Sequence, residues 1–251
     1  MILVLSGEGP SDVGTETLTT DGWKFVAGPM AVIVDQLLSR SEKLNYSLLE
    51  THEVGAECVL FVSEGQLSRL RPSRPIQLPR GDDGFGNIFF RAQAYLLGKH
   101  VKEIATQRNE QAIAVLFRDG DGTRSMPREQ WRQKFDSIVS GFRAADFQTG
   151  VPMVPRPKSE AWMLCGLLKH ENQEEACGWL EAESGNDASP NSLKRQLALH
   201  LGHELGHEPT AEEQAELVKS GHITPELIDL PSFTAFRDEL DRAYAHAVHA
   251  N

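Results

Sequence analysis

Ala112-Ile113-Ala114-Val115-Leu116-Phe117-Arg118-Asp119-Gly120-Asp121-Gly122 is the stretch that decides the fold. Six apolar residues in a row, with no polar alternation, predict a strand buried on both faces, the habit of a central strand in a parallel sheet. The strand runs into an acidic, glycine-rich turn. Near the start of the chain the arrangement recurs: Met1-Ile2-Leu3-Val4-Leu5 leads into Ser6-Gly7-Glu8-Gly9-Pro10-Ser11-Asp12. Strand ends on one edge of a parallel sheet converge, and open α/β sheets bind ligands in the crevice they form. Carboxylates delivered to one crevice repel each other and are tolerated chiefly around a divalent cation. Hard cations such as Mg²⁺ prefer carboxylate oxygen. The two strand ends therefore predict a magnesium-dependent site acting on phosphate esters.

Working outward, strands alternate with helices. Residues 28–40 carry Met30, Ile33, Val34, Leu37 and Leu38 at helical spacing. Residues 46–50 and 58–62 read as strands, and 67–86, rich in Arg, Pro and Gly, as a loop. Long amphipathic helices are expected over 87–107 and 128–145, the second with Trp131, Phe135, Ile138, Val139 and Phe142 on its apolar side. A short strand at 150–154 and a helix at 159–169 follow. The rest is mostly helical, with breaks near 185–190, at Pro209 and over 225–231. The alternation predicts an α/β fold: a Rossmann-like parallel sheet flanked by helices over residues 1–170. Residues 171–251 are expected to form a helical extension packed on this core, since no flexible linker divides the two.

Composition bounds the function. The 251 residues, 40% hydrophobic and 24% charged, suit an ordinary globular protein. The longest apolar run falls short of the roughly 20 residues a membrane helix needs. No basic segment precedes the first apolar stretch, which reads as a strand and not a signal peptide. Three cysteines, Cys58, Cys165 and Cys177, have no metal-like spacing. An odd count without a secretion signal points to reduced, buried thiols in a cytoplasm. The formal charge of −11 argues against a protein that coats nucleic acid non-specifically. It leaves room for a nuclease, whose metal site is itself acidic. Basic residues cluster at Arg69, Arg71, Arg74 and Arg80, at Arg118, Arg124 and Arg128, and at Arg156 and Lys158. A solvated surface is the plainer account of each cluster, and core packing that of Trp23, Trp131, Trp162 and Trp179.

Asp119 and Asp121 lie two apart, so on an extended strand end they point to the same side and suit one or two metal ions. Asp-Gly-Asp-Gly is a weak signal alone, because both residues are common in turns. Following an apolar strand, and paired with the Glu8 segment, it gains weight. Glu8, between two glycines, suits a metal ligand or a general acid/base; the plainer alternative is a turn or helix-capping acid.

In this order, Val4-Leu5-Ser6-Gly7-Glu8-Gly9-Pro10-Ser11-Asp12 followed by Leu116-Phe117-Arg118-Asp119-Gly120-Asp121 resembles the Toprim (topoisomerase–primase) domain, which places a glutamate after its first strand and Asp-x-Asp after a later one. The chain is more closely similar to small Toprim-like bacterial proteins of unassigned function, themselves similar to the nuclease half of overcoming-lysogenization-defect nucleases found among anti-phage genes. Pro157-Lys158-Ser159-Glu160-Ala161-Trp162 and Pro231-Ser232-Phe233-Thr234-Ala235-Phe236 are further anchors. The resemblance implies a Toprim-like fold, Mg²⁺ or Mn²⁺, and cleavage of phosphodiesters in DNA or RNA. It carries Glu8 over as acid/base or metal glutamate, and Asp119 and Asp121 as metal ligands. Glu160 is a further acid near the crevice, with a helix-start carboxylate as its bland reading. Asp12 is a weaker further acid, with a cap after Pro10 as its plainer reading. Arg118, Arg124 and Lys158 are the candidates for neutralising phosphate charge. Tyr46, Tyr95 and Tyr244 sit in no motif, so hydrolysis is favoured over strand passage. No phosphate-binding Walker loop is present, so any ATP use must come from a partner ATPase encoded nearby. Homo-oligomerisation stays open.

Two other functional classes compete. His203-Glu204-Leu205-Gly206-His207 fits HExxH, which on a helix puts both histidines on one face for Zn²⁺, with Glu204 as general base of a metallopeptidase. Against it, Pro209 should end the helix, no third ligand is signalled, and His200 makes the stretch locally histidine-rich. Ser192, Leu193, Leu197, Leu201 and Leu205 also read as an N-capped amphipathic helix with its own packing reason. The third class is a non-catalytic Toprim-like subunit that binds a nucleotide or a partner.

Overall fold

The computed structural model describes residues 1–9, 11–20, 22–40, 42–70, 88–120, 127–174, 176–202 and 208–249. Four parallel strands form the main sheet: β1 (Ile2–Ser6), β4 (Val59–Phe61), β5 (Ala112–Phe117) and β6 (Gly150–Met153), in the order β4-β1-β5-β6. Leu3 pairs with Val59 on one side and Ile113 on the other, and Val115 pairs with Val151. The fold is thus α/β with a parallel sheet flanked by helices, consistent with a Rossmann-like fold.

Period two explains how an unbroken apolar strand serves two cores. Ile2 and Val4, with Ala112, Ala114 and Leu116, face α4 (Ile88–Arg108) and α5 (Arg128–Ala144). Leu3 and Leu5, with Ile113, Val115 and Phe117, face α1 (Pro29–Leu38) and α6 (Ser159–Glu171). The C-terminal helices join this second face. Phe233, Phe236 and Leu240 of α9 (Pro231–His249) belong to the same core cluster as Leu3 and Val115. So do Ala215 and Val218 of α8 (Ala211–Lys219), packed on α1. Trp162 ties α6 to α9: its ring stacks on Phe236, meets Phe233 edge-on, and its Nε1 donates to Ser232 Oγ at 2.8 Å.

Three features depart from expectation. Residues 46–50 form no strand. Leu48 to Glu53 is helix α2 (Leu48–Glu53), because Ser47 caps it by accepting from the Glu50 amide at 3.0 Å. Helix α3 (Glu64–Arg69) occupies the start of the expected loop, closed by a Ser63/Gln66 capping box; 71–87 lie outside the described residues. An antiparallel hairpin, β2 (Gly14–Thr19) with β3 (Gly22–Ala27), stands between β1 and α1. Its Leu18 and Trp23 pair across the strands with outer surfaces in solvent, so Trp23 packs in no core; Trp179 is also exposed, while Trp131 and Trp162 are buried as expected. Among the described residues, no helix is long and apolar enough to cross a membrane.

Candidate functional site

From β1 the chain crosses to β4 at one edge; the later strands, β5 and β6, lie on the opposite side of β1. The sheet order therefore reverses between β1 and β5, and at such a switch point the strand ends splay into a crevice. Glu8 follows β1 there, and Arg118 and Asp119 follow β5. The chain leaving β6 contributes the third wall. Gly120 donates its amide to Pro155 O at 2.9 Å, and a Cβ at Gly120 would lie 2.4 Å from that oxygen. Only glycine lets the Asp119 turn seat so closely on the 155–157 segment.

Asp119 Oδ1 accepts the backbone N–H of Ser159, the first residue of α6, at 3.2 Å. Ser159 Oγ donates to Asp12 Oδ1 at 2.5 Å. One serine thus joins the carboxylates that follow β1 and β5. Glu160, next along α6, is buried, and its Oε2 has no hydrogen-bond partner. The start of α6 favours negative charge through its free N–H groups, yet crowding and burial win. Burial, then the charges of Asp12 and Glu160, push the Asp119 carboxyl well above the usual carboxylate range, against the opposing pull of Lys158 and the Ser159 amide. Burial likewise raises Glu160, with Asp12 adding to it. The trio Asp12, Asp119 and Glu160 is a set of oxygen donors short of positive charge, the donor chemistry a hard divalent cation takes.

The sequence-derived residues divide here. Asp119 and Glu160 come together. Asp12, read from sequence as a cap, joins them, held by Met30 N donating to its backbone oxygen at 3.0 Å. Glu8 turns toward Arg118 instead, with Arg118 Nε 3.4 Å from its Oε1. Arg118 does not face solvent phosphate. Its side chain is fully buried, Nε donates to Gln93 Oε1 at 2.8 Å and Nη1 to Phe117 O at 2.6 Å. Its phosphate role is corrected to that of an internal brace for Glu8. Lys158 lies near the trio: burial works against its charge, but the Asp187 carboxylate, hydrogen-bonded at 2.9 Å, and then Glu160 and Asp119 leave its pKa raised. Asp121 and Arg124 lie outside the described residues, as do His203, Glu204 and His207. Helix α7 (Leu193–His200) ends before that last motif, and the backbone turns left-handed at Gly202 (φ 74°).

Sequence reading missed two contributors. Ser159 is legible only in retrospect, as the residue before Glu160. Lys134 gave no signal: it sits on the buried side of α5, its Nζ donating to Asp119 O at 2.6 Å and Gly120 O at 3.2 Å, 4.3 Å from the Phe90 ring centroid. It braces the acidic turn from behind. No protein family, curated protein or solved structure matches the chain in the comparisons made.

Proposed function

We propose that the chain is a Toprim-like, Mg²⁺- or Mn²⁺-dependent nuclease that hydrolyses phosphodiester bonds in DNA or RNA. One observation carries this reading. Three carboxylates from separate segments act on one another beside a sheet switch point: Asp12 and Glu160 raise the pKa of Asp119, Asp12 raises that of Glu160, and Glu160 keeps a buried, unpartnered oxygen. Such a set is costly without a cation and suits a hard one, which Asp119 would hold with help from Asp12 or Glu160; Glu8 and Asp121 are the further candidates. A divalent cation there supplies charge for a phosphodiester's non-bridging oxygens and lowers the pKa of water.

The chain's own groups do the rest. Glu8, part-exposed and paired with buried Arg118, is assigned the proton of the attacking water. Lys158 approaches the phosphate and offsets charge as it builds. Lys134 and Gly120 hold the Asp119 turn still. A role as an anti-phage effector in the cytoplasm, working with a partner ATPase, rests on the resemblance of the sequence alone. The zinc-peptidase reading rests on His203, Glu204 and His207, which lie outside the described residues.

The test is cleavage of single- and double-stranded DNA and RNA by purified protein with Mg²⁺ or Mn²⁺, compared with Asp119→Asn and Glu160→Gln variants. Cation-dependent cleavage lost in both is expected. Equal activity in the variants, or none in wild type with any substrate, defeats the proposal.

A further inference from the structure

Further along α6 than Ser159 and Glu160, three side chains that sequence spacing gave no reason to connect come together. Cys165 lies in α6, Cys177 precedes the short 3-10 turn Gly178–Ala182, and Asp229 lies just before α9. The two sulfur atoms and a carboxylate oxygen of Asp229 all fall within 4.8 Å of one another. We propose that Cys165, Cys177 and Asp229 form a binding site for a thiophilic divalent cation of the Zn²⁺ class, separate from the acidic crevice.

The geometry fits that ion. With Zn–S near 2.3 Å and Zn–O near 2.0 Å, tetrahedral ligands stand roughly 3.5–3.8 Å apart. Cys165 Sγ is 3.5 Å from Asp229 Oδ1. The ligand set is also chemically selective: two sulfurs favour Zn²⁺ over Mg²⁺, just as the all-oxygen trio favours the reverse. Lys169 Nζ lies 2.8 Å from Asp229 Oδ2, the other carboxylate oxygen, and donates to Gln173 O at 3.0 Å. It orients the carboxylate so that Oδ1 faces Cys165, the outer-shell support that ligating carboxylates usually have. Both cysteines are buried, whereas the Asp229 side chain is about half exposed (56%). The cation therefore has an entry path from the aspartate side, and three protein ligands leave a fourth position for water. The bound ion would cross-link α6, the segment before the 3-10 turn and the approach to α9, the elements that lay the C-terminal helices against the sheet.

The experiment uses the full chain, reduced, stripped of metal by a chelator and then exchanged free of it, and titrated with Co²⁺. One equivalent should produce a sulfur-to-cobalt charge-transfer band in the near ultraviolet. An oxygen-only crevice cannot give that band, so the two sites are distinguished in one spectrum. Excess Mg²⁺ should leave the band, and one equivalent of Zn²⁺ should erase it. Cys177→Ala should remove it. Asp229→Asn, at a part-exposed position where circular dichroism should show the core intact, should weaken Co²⁺ binding tenfold or more and abolish the upward shift in melting temperature expected of wild type with Zn²⁺. Absence of the band in wild type with free thiols confirmed, or its persistence in Cys177→Ala, overturns the proposal.

Discussion

Asp35 and Glu160 are both buried carboxylates whose protons are held more tightly than usual, and they were put there for opposite ends. Asp35, inside α1, accepts from Ser47 Oγ at 2.6 Å, Leu48 N at 2.7 Å and Leu49 N at 3.2 Å. Burial raises its pKa and those three bonds oppose the rise. It pins α1 to the start of α2, and its demands are met within the fold. Glu160 has other carboxylates for neighbours and an oxygen with no partner. Burial alone does not mark a functional acid; burial with unmet demand does.

The comparison can be broken by mutation, and the largest effect is expected in catalysis. Asp119→Asn keeps an acceptor for the Ser159 amide but removes a charge, and should lower the cation-dependent cleavage rate by roughly 10²–10³ or more. Asp35→Ala should leave the rate per folded molecule unchanged. A comparable loss from both would erase the distinction. The order reverses for stability. Asp35→Ala strands the Leu48 and Leu49 amides and should cost on the order of 3 kcal/mol in denaturant unfolding. Metal-free Asp119→Asn should instead be more stable than wild type, because it relieves crowded charge.

Proton linkage sharpens the contrast. Asp119, Glu160 and Asp35 all have folded-state pKa values above their unfolded ones. The folded state binds their protons more tightly. Metal-free stability should therefore rise as the pH falls from above those values to the ordinary carboxylate range, and gain nothing further below it. Asp187, held below its usual value by Lys158 and Lys194 against burial, contributes in the opposite sense, and its share is lost only at lower pH. Added Mg²⁺ should suppress the gain due to Asp119 and Glu160 and leave that due to Asp35. Melting curves across pH with and without Mg²⁺ separate the two; an identical pH profile in both conditions contradicts a cation at the trio. The smallest effect is expected at Arg118. Arg118→Lys loses the Nε contacts with Gln93 and Glu8 and the Nη1 bond to Phe117 O. It should lower kcat about tenfold with KM nearly constant, as befits a brace for a general base; a rise in KM alone would return Arg118 to the phosphate.

Most of the sheet was legible because β1 and β5 are unbroken apolar runs ending in acidic turns, a pattern that few other folds would explain. Residues 46–50 misled because Tyr46, Leu48 and Leu49 look strand-forming. The Ser-x-x-Glu pattern of Ser47 and Glu50 was the better signal, since a side-chain cap decides where a helix starts. The β2–β3 hairpin was overlooked although Asp21-Gly22 flanked by alternating residues is a strong turn signal; its polar threonines concealed it. Asp119 was readable from its place after β5. The part played by Asp12 was not, since it depends on Ser159, far away in sequence, reaching back to it. Nor could spacing reveal Cys165, Cys177 and Asp229, which meet only once α6 and α9 share a core.

The hairpin has a practical consequence for anyone wishing to attach something to this protein. Its base is closed by Gly28 N donating to Val13 O at 2.9 Å and Met30 N to Asp12 O at 3.0 Å, and Gly28 packs so tightly there that a Cβ would lie 2.4 Å from the Asp12 oxygen. Asp12 is thus clamped from below, while the far end of the ribbon projects into water. Extra residues or a fluorescent label spliced beside Thr20 would be mechanically insulated from the crevice, making this tip the natural port for a tether or a reporter.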